Sequence, residues 1–185
     1  MKIAAIVGSN RIGSYNLKLA EFMKERYSDR LDMDIITLQN VPFYNQDIEN
    51  DPPAEAQAFI QRVKSAEAVL WVTPEYNGSI PGVLKNAIDW LSRGEKVMIG
   101  KPSSIIGASM GNMGTVKAQL HLRQILASPG LASPLLPGNE VYIPVVHEKI
   151  DEEGKFNHEP TTSFLDRVVS NFITWHGKHT SAFNQ

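Results

Sequence analysis

The sequence has no cysteine among its 185 residues. Without thiols the protein cannot form disulfide bonds, thiolate metal sites or a catalytic cysteine, so any redox chemistry depends on a bound cofactor. Because disulfides are a mark of oxidising compartments, their absence fits a cytoplasmic protein, and we expect that location.

Long apolar runs are also missing. No stretch approaches the roughly 20 apolar residues that a membrane helix needs, and the apolar run within residues 1–7 is too short for the core of a signal peptide. A formal net charge of -2 at pH 7 provides no electrostatic attraction to nucleic acids or to membrane surfaces. We therefore predict a soluble protein that binds a small molecule and neither of those partners.

Patterns of metal-binding or catalytic residues are lacking too. His176 and His179 are close in sequence, but no histidine of the chain is accompanied by carboxylates at metal-ligand spacing. We predict no metal site, and we assign no general acid, general base or nucleophile.

Short apolar runs alternate with amphipathic stretches along the chain. Strands that are apolar on both sides, each followed by a helix, are typical of a parallel sheet covered on both faces. Right-handed crossovers leave few topologies, so we predict an α/β fold with a five-stranded, doubly wound parallel sheet in one domain, residues 1–185. Strands are predicted at residues 3–7, 33–38, 68–72, 104–108 and 141–146, and helices at residues 19–27, 56–63, 84–91, 118–125 and 165–172.

The first strand is followed by a polar loop at residues 8–16 (GSNRIGSYN). In open parallel sheets, ligands bind beyond the carboxyl ends of the strands. The loop offers a phosphate two glycines, short polar donors, the guanidinium of Arg11 and a helix N-terminus. It lacks the Lys-Ser/Thr pair of a triphosphatase loop, and it is not G-x-G-x-x-G. The alternative is a polar turn in which a Ser or Asn caps the following helix.

The third and fourth strands are followed by two further loops of unusual composition. Residues 73–82 (TPEYNGSIPG) combine shape-restricting prolines and glycines with an aromatic surface at Tyr76, which favours a flat heteroaromatic ligand. Alternatively, Asn77-Gly78 is simply a turn and Trp90, farther on, a core residue. The glycines of residues 109–115 (SMGNMGT) let a ligand edge pack against backbone. The alternative there is a flexible glycine turn.

Together, the three loops resemble the NADPH-dependent FMN reductase family, a flavodoxin-fold group that includes quinone, azo and chromate reductases. The pattern G-S-x-R-x-x-S-x-N at residues 8–16 resembles its phosphate motif, and P-E-Y-N-G-S-x-P-G-x-L-K-N-A-I-D-W at residues 74–90 resembles its signature after the third strand. The third loop with A-Q-x-H-L-R-Q at residues 118–124 resembles its segment after the fourth strand. The resemblance spans most of residues 3–127, and it implies a flavodoxin-like three-layer sandwich with strand order 2-1-3-4-5.

The resemblance also implies where noncovalently bound FMN would lie. The first loop would hold its phosphate, residues 74–78 would line its isoalloxazine ring, and the third loop would close the other side. The cofactor-binding residues implied in this way are Ser9, Arg11, Ser14, Tyr15, Asn16, Pro74, Glu75, Tyr76, Asn77, Gly78, Ser109 and Gly111.

The activity implied by the resemblance is a ping-pong hydride transfer. NADPH or NADH would be the electron donor, and quinones, azo dyes, chromate or free flavin would be the acceptors. The family also implies a homodimer with flavin sites near the interface, which assembles further into homotetramers. Two alternatives stay open. One is a flavodoxin-like electron carrier, which the near-neutral charge disfavours; the other is a flavin-binding regulatory module, because fold does not determine function.

Two further features concern the helix surfaces, one of which a partner subunit could cover. His121 lies on a predicted helix, where a role on the helix face or in a subunit contact is favoured over a ligand role. Trp90 and Leu91, with Met110 and Met113 expected nearby, leave more apolar surface than one face of a sheet needs.

Overall fold

The structure is a computed structural model that describes residues 1–151 and 153–183. Most element boundaries lie close to those predicted from the apolar pattern. In chain order, the elements are β1 (Lys2–Val7), α1 (Tyr15–Arg26), β2 (Asp32–Thr37), α2 (Ala54–Lys64), β3 (Ala68–Val72), α3 (Gly82–Leu91), β4 (Ser103–Ala108), α4 (Val116–Leu126), β5 (Val141–Ile143) and α5 (Glu159–Phe183), with short 3-10 helices at Gln46–Ile48 and Val146–Glu148.

The strands form one parallel sheet in the order β2-β1-β3-β4-β5. This order confirms the predicted flavodoxin-like sandwich. Side chains alternate across the sheet: Ile3, Ala5 and Val7 of β1 pack with α1 and α5. Ala4 and Ile6 pack on the opposite face with α2, α3 and α4. Burial on both faces explains why the strands are continuously apolar. Among the described helices, none has both the length and the apolar character needed to cross a membrane.

Two elements differ from their predicted lengths. β5 ends at Ile143 instead of residue 146, because Val145 adopts a left-handed conformation with φ of 47° and turns the chain. The N–H of Val146 then donates to the carbonyl of Ser109, 3.0 Å away. α5 is far longer than the predicted 165–172, and Trp175, partly buried against the core, continues its apolar stripe.

Helices α1 and α5 are joined by a three-residue polar contact. The guanidinium of Arg26 donates two hydrogen bonds to the Asp166 carboxylate, at 2.7 and 2.8 Å. The hydroxyl of Tyr27, a buried residue, donates a third at 2.9 Å. The hydrogen bond from Arg26 is the main reason why the pKa of Asp166 is lowered to about 2. The carboxylate is therefore held in its ionised form when the protein is folded.

We expect Asp166→Ala to lower the free energy of unfolding by about 1–2 kcal/mol, because it removes the ionised partner of Arg26 and leaves the Tyr27 hydroxyl without its acceptor. A carboxyl whose pKa falls on folding stabilises the native state above its unfolded pKa, near 4, and loses that effect toward pH 2. The difference in free energy of unfolding between wild type and variant should therefore narrow from pH 5 to pH 2, as measured by urea titrations. Asp29→Ala is the control, since Asp29 is exposed with one 3.7 Å ion pair. A gap that does not vary with pH would count against the contact.

Candidate functional site

The three loops singled out from the sequence meet at one edge of the sheet. Strands β1, β3 and β4 are neighbours and parallel, so loop 1 (residues 8–14), loop 2 (residues 73–81) and loop 3 (residues 109–115) leave the same edge. Loops 1 and 2 are in direct contact, with 3.4 Å between the hydroxyl oxygens of Ser9 and Tyr76. The predicted site residues are therefore brought together from distant parts of the chain.

The N-terminus of α1 presents unpaired backbone donors. Ser14 is the N-cap, and its hydroxyl oxygen accepts from the N–H of Leu17 at 3.3 Å. This confirms the helix cap that was the alternative interpretation of loop 1. The N–H groups of Tyr15 and Asn16, which lie between Ser14 and Leu17, have no acceptor within the described residues. Neither loop 1 nor the first turn of α1 carries an acidic residue, so this terminus suits an anion such as phosphate.

Two more polar groups of loop 1 fit a phosphate. Arg11 folds over its own loop: one Nη donates to the carbonyl of Gly13 at 2.8 Å, and the guanidinium lies 5.2 Å from the ring centroid of Tyr15. Its positive charge therefore stays close to the amides of α1. The buried Oδ1 of Asn10 has no hydrogen-bond partner in the part of the chain that the structure describes. Such an unpaired group is typical of a site completed by a ligand or a water.

The side chain of Asn16 has a structural role. Its amide donates to the carbonyl of Ala108 and accepts from the N–H of Ala108, both at 3.0 Å. These bonds attach α1 to the end of β4. The group that Asn16 offers a ligand is consequently its backbone N–H, not its side chain.

Loop 2 contains a tight turn at Asn77-Gly78. The backbones of Tyr76 and Ser79 exchange hydrogen bonds of 3.0 and 3.1 Å. Asn77 and Gly78 both have positive φ, 53° and 73°, as a type I′ turn requires. The turn interpretation of this pair is confirmed, and the turn leaves Tyr76 47% exposed at the loop surface. Pro74, by contrast, is buried at the root of the loop.

Helix α4 holds loop 2 at two points. The carboxylate of Glu75 accepts from the backbone N–H groups of Lys117 and Ala118, at 2.9 and 3.2 Å. It therefore caps α4, whose own N-cap residue makes no side-chain cap bond. Four residues beyond Glu75, Ser79 Oγ lies 2.7 Å from Nδ1 of His121, one turn farther along α4. The predicted flavin residue Glu75 thus has a structural role that sequence reasoning did not foresee.

Removing the Glu75 cap should destabilise the protein even without a flavin. We expect Glu75→Ala to reduce the free energy of unfolding of the FMN-free protein by about 1 kcal/mol, the usual value of a helix N-cap. Glu75→Gln keeps an acceptor oxygen and should lose less than half of that. Urea unfolding of the two variants makes the comparison, and equal losses would show that the carboxamide oxygen does not replace the cap.

Loop 3 is organised by Ser109. Its hydroxyl donates to the carbonyl of Gly114 at 2.7 Å, and its N–H donates to the carbonyl of Ile143 at 3.0 Å. These bonds hold the loop against β5. Gly111 is exposed, and so are Met110 and Met113, which are 58% and 64% accessible. Loop 3 therefore presents backbone and thioether surface beside loop 2.

The expected apolar surface on α3 is absent from the structure. Trp90 and Leu91 are only 1% and 0% exposed, because α3 buries them against the sheet and the neighbouring connection. The prediction of a partner-covered surface was wrong for these two residues, since the helical spacing that places them on one face does not show what covers it. Met110 and Met113 are the exposed members of that set.

The connection between β2 and α2 was missed by sequence reasoning, although it lies beside the site. The side-chain amide of Asn86 donates to the carbonyl of Pro42 at 2.9 Å and accepts from the N–H of Tyr44 at 2.7 Å. Trp90 Nε1 donates to the same Pro42 carbonyl at 2.8 Å. Between the two fixed residues, Phe43 is left 84% exposed. The sequence signal that could have revealed this connection is the aromatic pair Phe43-Tyr44 directly after Pro42.

Known proteins are similar to this chain along nearly its whole length. Residues 1–148 match the family described as NADPH-dependent FMN reductase. The chain is 40% identical over 177 residues to a 2-hydroxy-1,4-benzoquinone reductase of Burkholderia sp, with 95% of this chain and 96% of the relative covered. It is 38% identical over 176 residues to a quinone reductase of Pseudomonas putida, covering 94% and 93%. The structure of FerB, a flavoenzyme NAD(P)H:(acceptor) oxidoreductase from Paracoccus denitrificans, matches with a TM-score of 0.87 at 34% identity, covering 96% and 98%.

Proposed function

The chain belongs to the NADPH-dependent FMN reductase family, and we propose that it reduces quinones with NADPH or NADH. The reaction would use FMN that loops 1, 2 and 3 hold noncovalently. Its enzyme class, NAD(P)H-dependent reduction through FMN, follows from the family and from relatives named quinone reductase and FMN reductase at 38% and 35% identity. The acceptor, the binding residues, the order of the two half-reactions, the domain extent, the location and the assembly are the proposed parts.

One observation supports this site more than any other. The unpaired N–H groups at the start of α1 lie at the same sheet edge as the exposed Tyr76 of loop 2. An anion site next to an exposed aromatic surface matches a ligand that combines a phosphate with a flat ring system. Loop 1 would bind the phosphate through these N–H groups and Arg11, and residues 74–78 with Ser109 and Gly111 would orient the ring.

The protein's part in the reaction is binding and orientation. When bound, FMN supplies the hydride and electron chemistry. The balanced reaction is NAD(P)H, one proton and a quinone giving NAD(P)+ and a hydroquinone. We propose that donor and acceptor use the site in turn, in a ping-pong sequence, and we assign no acid or base to the protein. Solvent then supplies the proton at the open edge of the sheet.

We propose benzoquinones and related electrophiles as the acceptors. The Burkholderia relative is named for 2-hydroxy-1,4-benzoquinone, and the Pseudomonas relative for quinones in general. Azo dyes, chromate and free flavin are further candidates for an open site of this kind. We also propose that residues 1–185 form one FMN-binding domain that acts in the cytoplasm, where NADPH and NADH are formed.

A homodimer is proposed as the working assembly, with homotetramers as a further step. Met110 and Met113 of loop 3 and Leu120 of α4 are 58%, 64% and 52% exposed, and a second subunit beside the site would cover such residues. Sedimentation at micromolar concentration checks this part, and a protein that is only monomeric there would contradict it.

An anaerobic titration tests the proposed function. The FMN-loaded protein is titrated with NADPH and, separately, with NADH while the flavin absorbance is followed, and 1,4-benzoquinone is then added. We expect bleaching by at least one nucleotide and recovery of the absorbance on adding the quinone. A protein that binds FMN but is bleached by neither nucleotide would instead be an electron carrier. A protein that binds no FMN would rule out the proposal.

A further inference from the structure

Phe43 is an unusual surface residue, because it is strongly exposed although the chain on both sides of it is fixed. The residue is 84% accessible. The preceding carbonyl of Pro42 accepts two hydrogen bonds from α3, and the following N–H of Tyr44 donates a third. The Tyr44 ring also packs edge-on against Trp90, with 5.2 Å between ring centroids. The backbone therefore holds Phe43 outward, where its ring is not stabilised by burial.

The ring of Phe43 lines a cleft that it shares with the flavin loops. The cleft has a volume of about 410 Å³, within the usual size range of small-molecule sites. Its other walls come from loop 1, from Tyr76 of loop 2 and from the first turn of α3. The lining residues are Asn10, Arg11, Phe43, Tyr76, Pro81, Gly82 and Val83.

We propose that Phe43 is a specificity-determining residue, which together with Tyr76 binds the planar ring of a quinonoid acceptor. The inference rests on the proposed function and adds the residue that selects its substrate. Two aromatic side chains in one cleft favour a flat ring, because stacked and edge-on aromatic contacts contribute beyond simple burial. Arg11, with its positive charge, forms part of the lining of this shallow cleft. A positive charge in the lining suits the carbonyl oxygens of a quinone better than the apolar face of a second subunit.

The test compares acceptors of different shape in the same variant. Wild-type protein and Phe43→Ala are loaded with FMN and photoreduced anaerobically, so that no nucleotide is needed. Reoxidation is followed by stopped flow with 2-hydroxy-1,4-benzoquinone, a planar ring, and with ferricyanide, which has none. We expect the half-saturating quinone concentration to rise about 10-fold in Phe43→Ala, with the limiting rate within twofold and ferricyanide unchanged. Phe43→Trp should restore the half-saturating quinone concentration of the wild type.

Several outcomes would overturn the inference. One is an equal half-saturating quinone concentration in wild type and Phe43→Ala, and another is an equal change of the half-saturating concentration for quinone and ferricyanide. A third is a dimer that is weakened in sedimentation while the kinetics with the quinone are unchanged. Ile99→Ala is the matched control, since Ile99 is 53% exposed, lies before β4 and does not line the cleft. Both residues are exposed, so neither variant should unfold the protein. Failure of NADPH and NADH to bleach the wild-type flavin would contradict the proposed function and leave this comparison intact.

Discussion

Ser14→Asp should abolish tight FMN binding while leaving the fold intact. Aspartate is as good a helix N-cap as serine, so the bond that Ser14 accepts from Leu17 can be kept and α1 should not be weakened. The new carboxylate, however, stands at the N–H groups of Tyr15 and Asn16, where we place the phosphate of FMN. Two like charges about 4 Å apart repel by about 4 kcal/mol near a protein surface. We therefore expect FMN affinity to fall at least about 100-fold, which corresponds to about 2.7 kcal/mol.

Riboflavin provides the internal control for this variant, because it has the same ring system without the phosphate. Its affinity for Ser14→Asp should stay within about threefold of wild type. Fluorescence titrations of FMN and riboflavin with both proteins make the measurement, and raising the salt concentration should partly restore FMN binding by screening. A parallel loss of both ligands would mean that the loop had been distorted. Unchanged FMN affinity would mean that the phosphate binds elsewhere.

Gly107→Ala should be the most destabilising of the substitutions considered. Gly107 is buried in β4, and an added methyl would overlap the hydroxyl of Thr115 and the backbone carbonyl of Thr73. Both residues are held by hydrogen bonds that resist a shift. The hydroxyl of Thr115 accepts from Gln119, and the N–H of Thr73 is bonded to Ile106 in the adjacent strand. We expect a loss of about 3 kcal/mol, the upper part of the usual cost of overpacking, and a melting temperature lower by roughly 10 °C.

The same substitution should also weaken FMN binding, because Thr73 begins loop 2 and Thr115 ends loop 3. Gly177→Ala in α5 is the matched control. Among the described residues, no atom outside its chain neighbours and its own helix backbone lies within 4 Å of the methyl that it adds, and alanine favours a helix over glycine by about 1 kcal/mol. Calorimetry should therefore show a slightly raised melting temperature for this control and a much lower one for Gly107→Ala. Equal melting temperatures for the two variants would contradict the close approach of β3 and β4.

The architecture could be predicted from the sequence because it depends on local patterns. Continuous apolar runs identify strands buried on both faces, and helical spacing identifies the elements that cover them. A parallel sheet then brings the carboxyl ends of neighbouring strands to one edge, so the loops at residues 8–16, 73–82 and 109–115 had to be candidates for one site. The Asn77-Gly78 turn could be predicted for the same reason, because an Asn-Gly pair readily adopts positive φ at both residues.

Which partner each polar side chain has depends on contacts between distant segments of the folded chain. The amide of Asn16 bonds to Ala108, 92 positions away, and Glu75 caps a helix that begins more than 40 positions later. Trp90 is covered by the connection that carries Pro42, 48 positions earlier. Periodicity tells which face of an element is apolar, but not which distant segment packs there. Local sequence patterns were therefore sufficient to predict the sheet, the site-bearing loops and the family. The assembled chain decided which groups remain free for a ligand, because hydrogen bonds between distant residues leave each donor or acceptor either occupied or open.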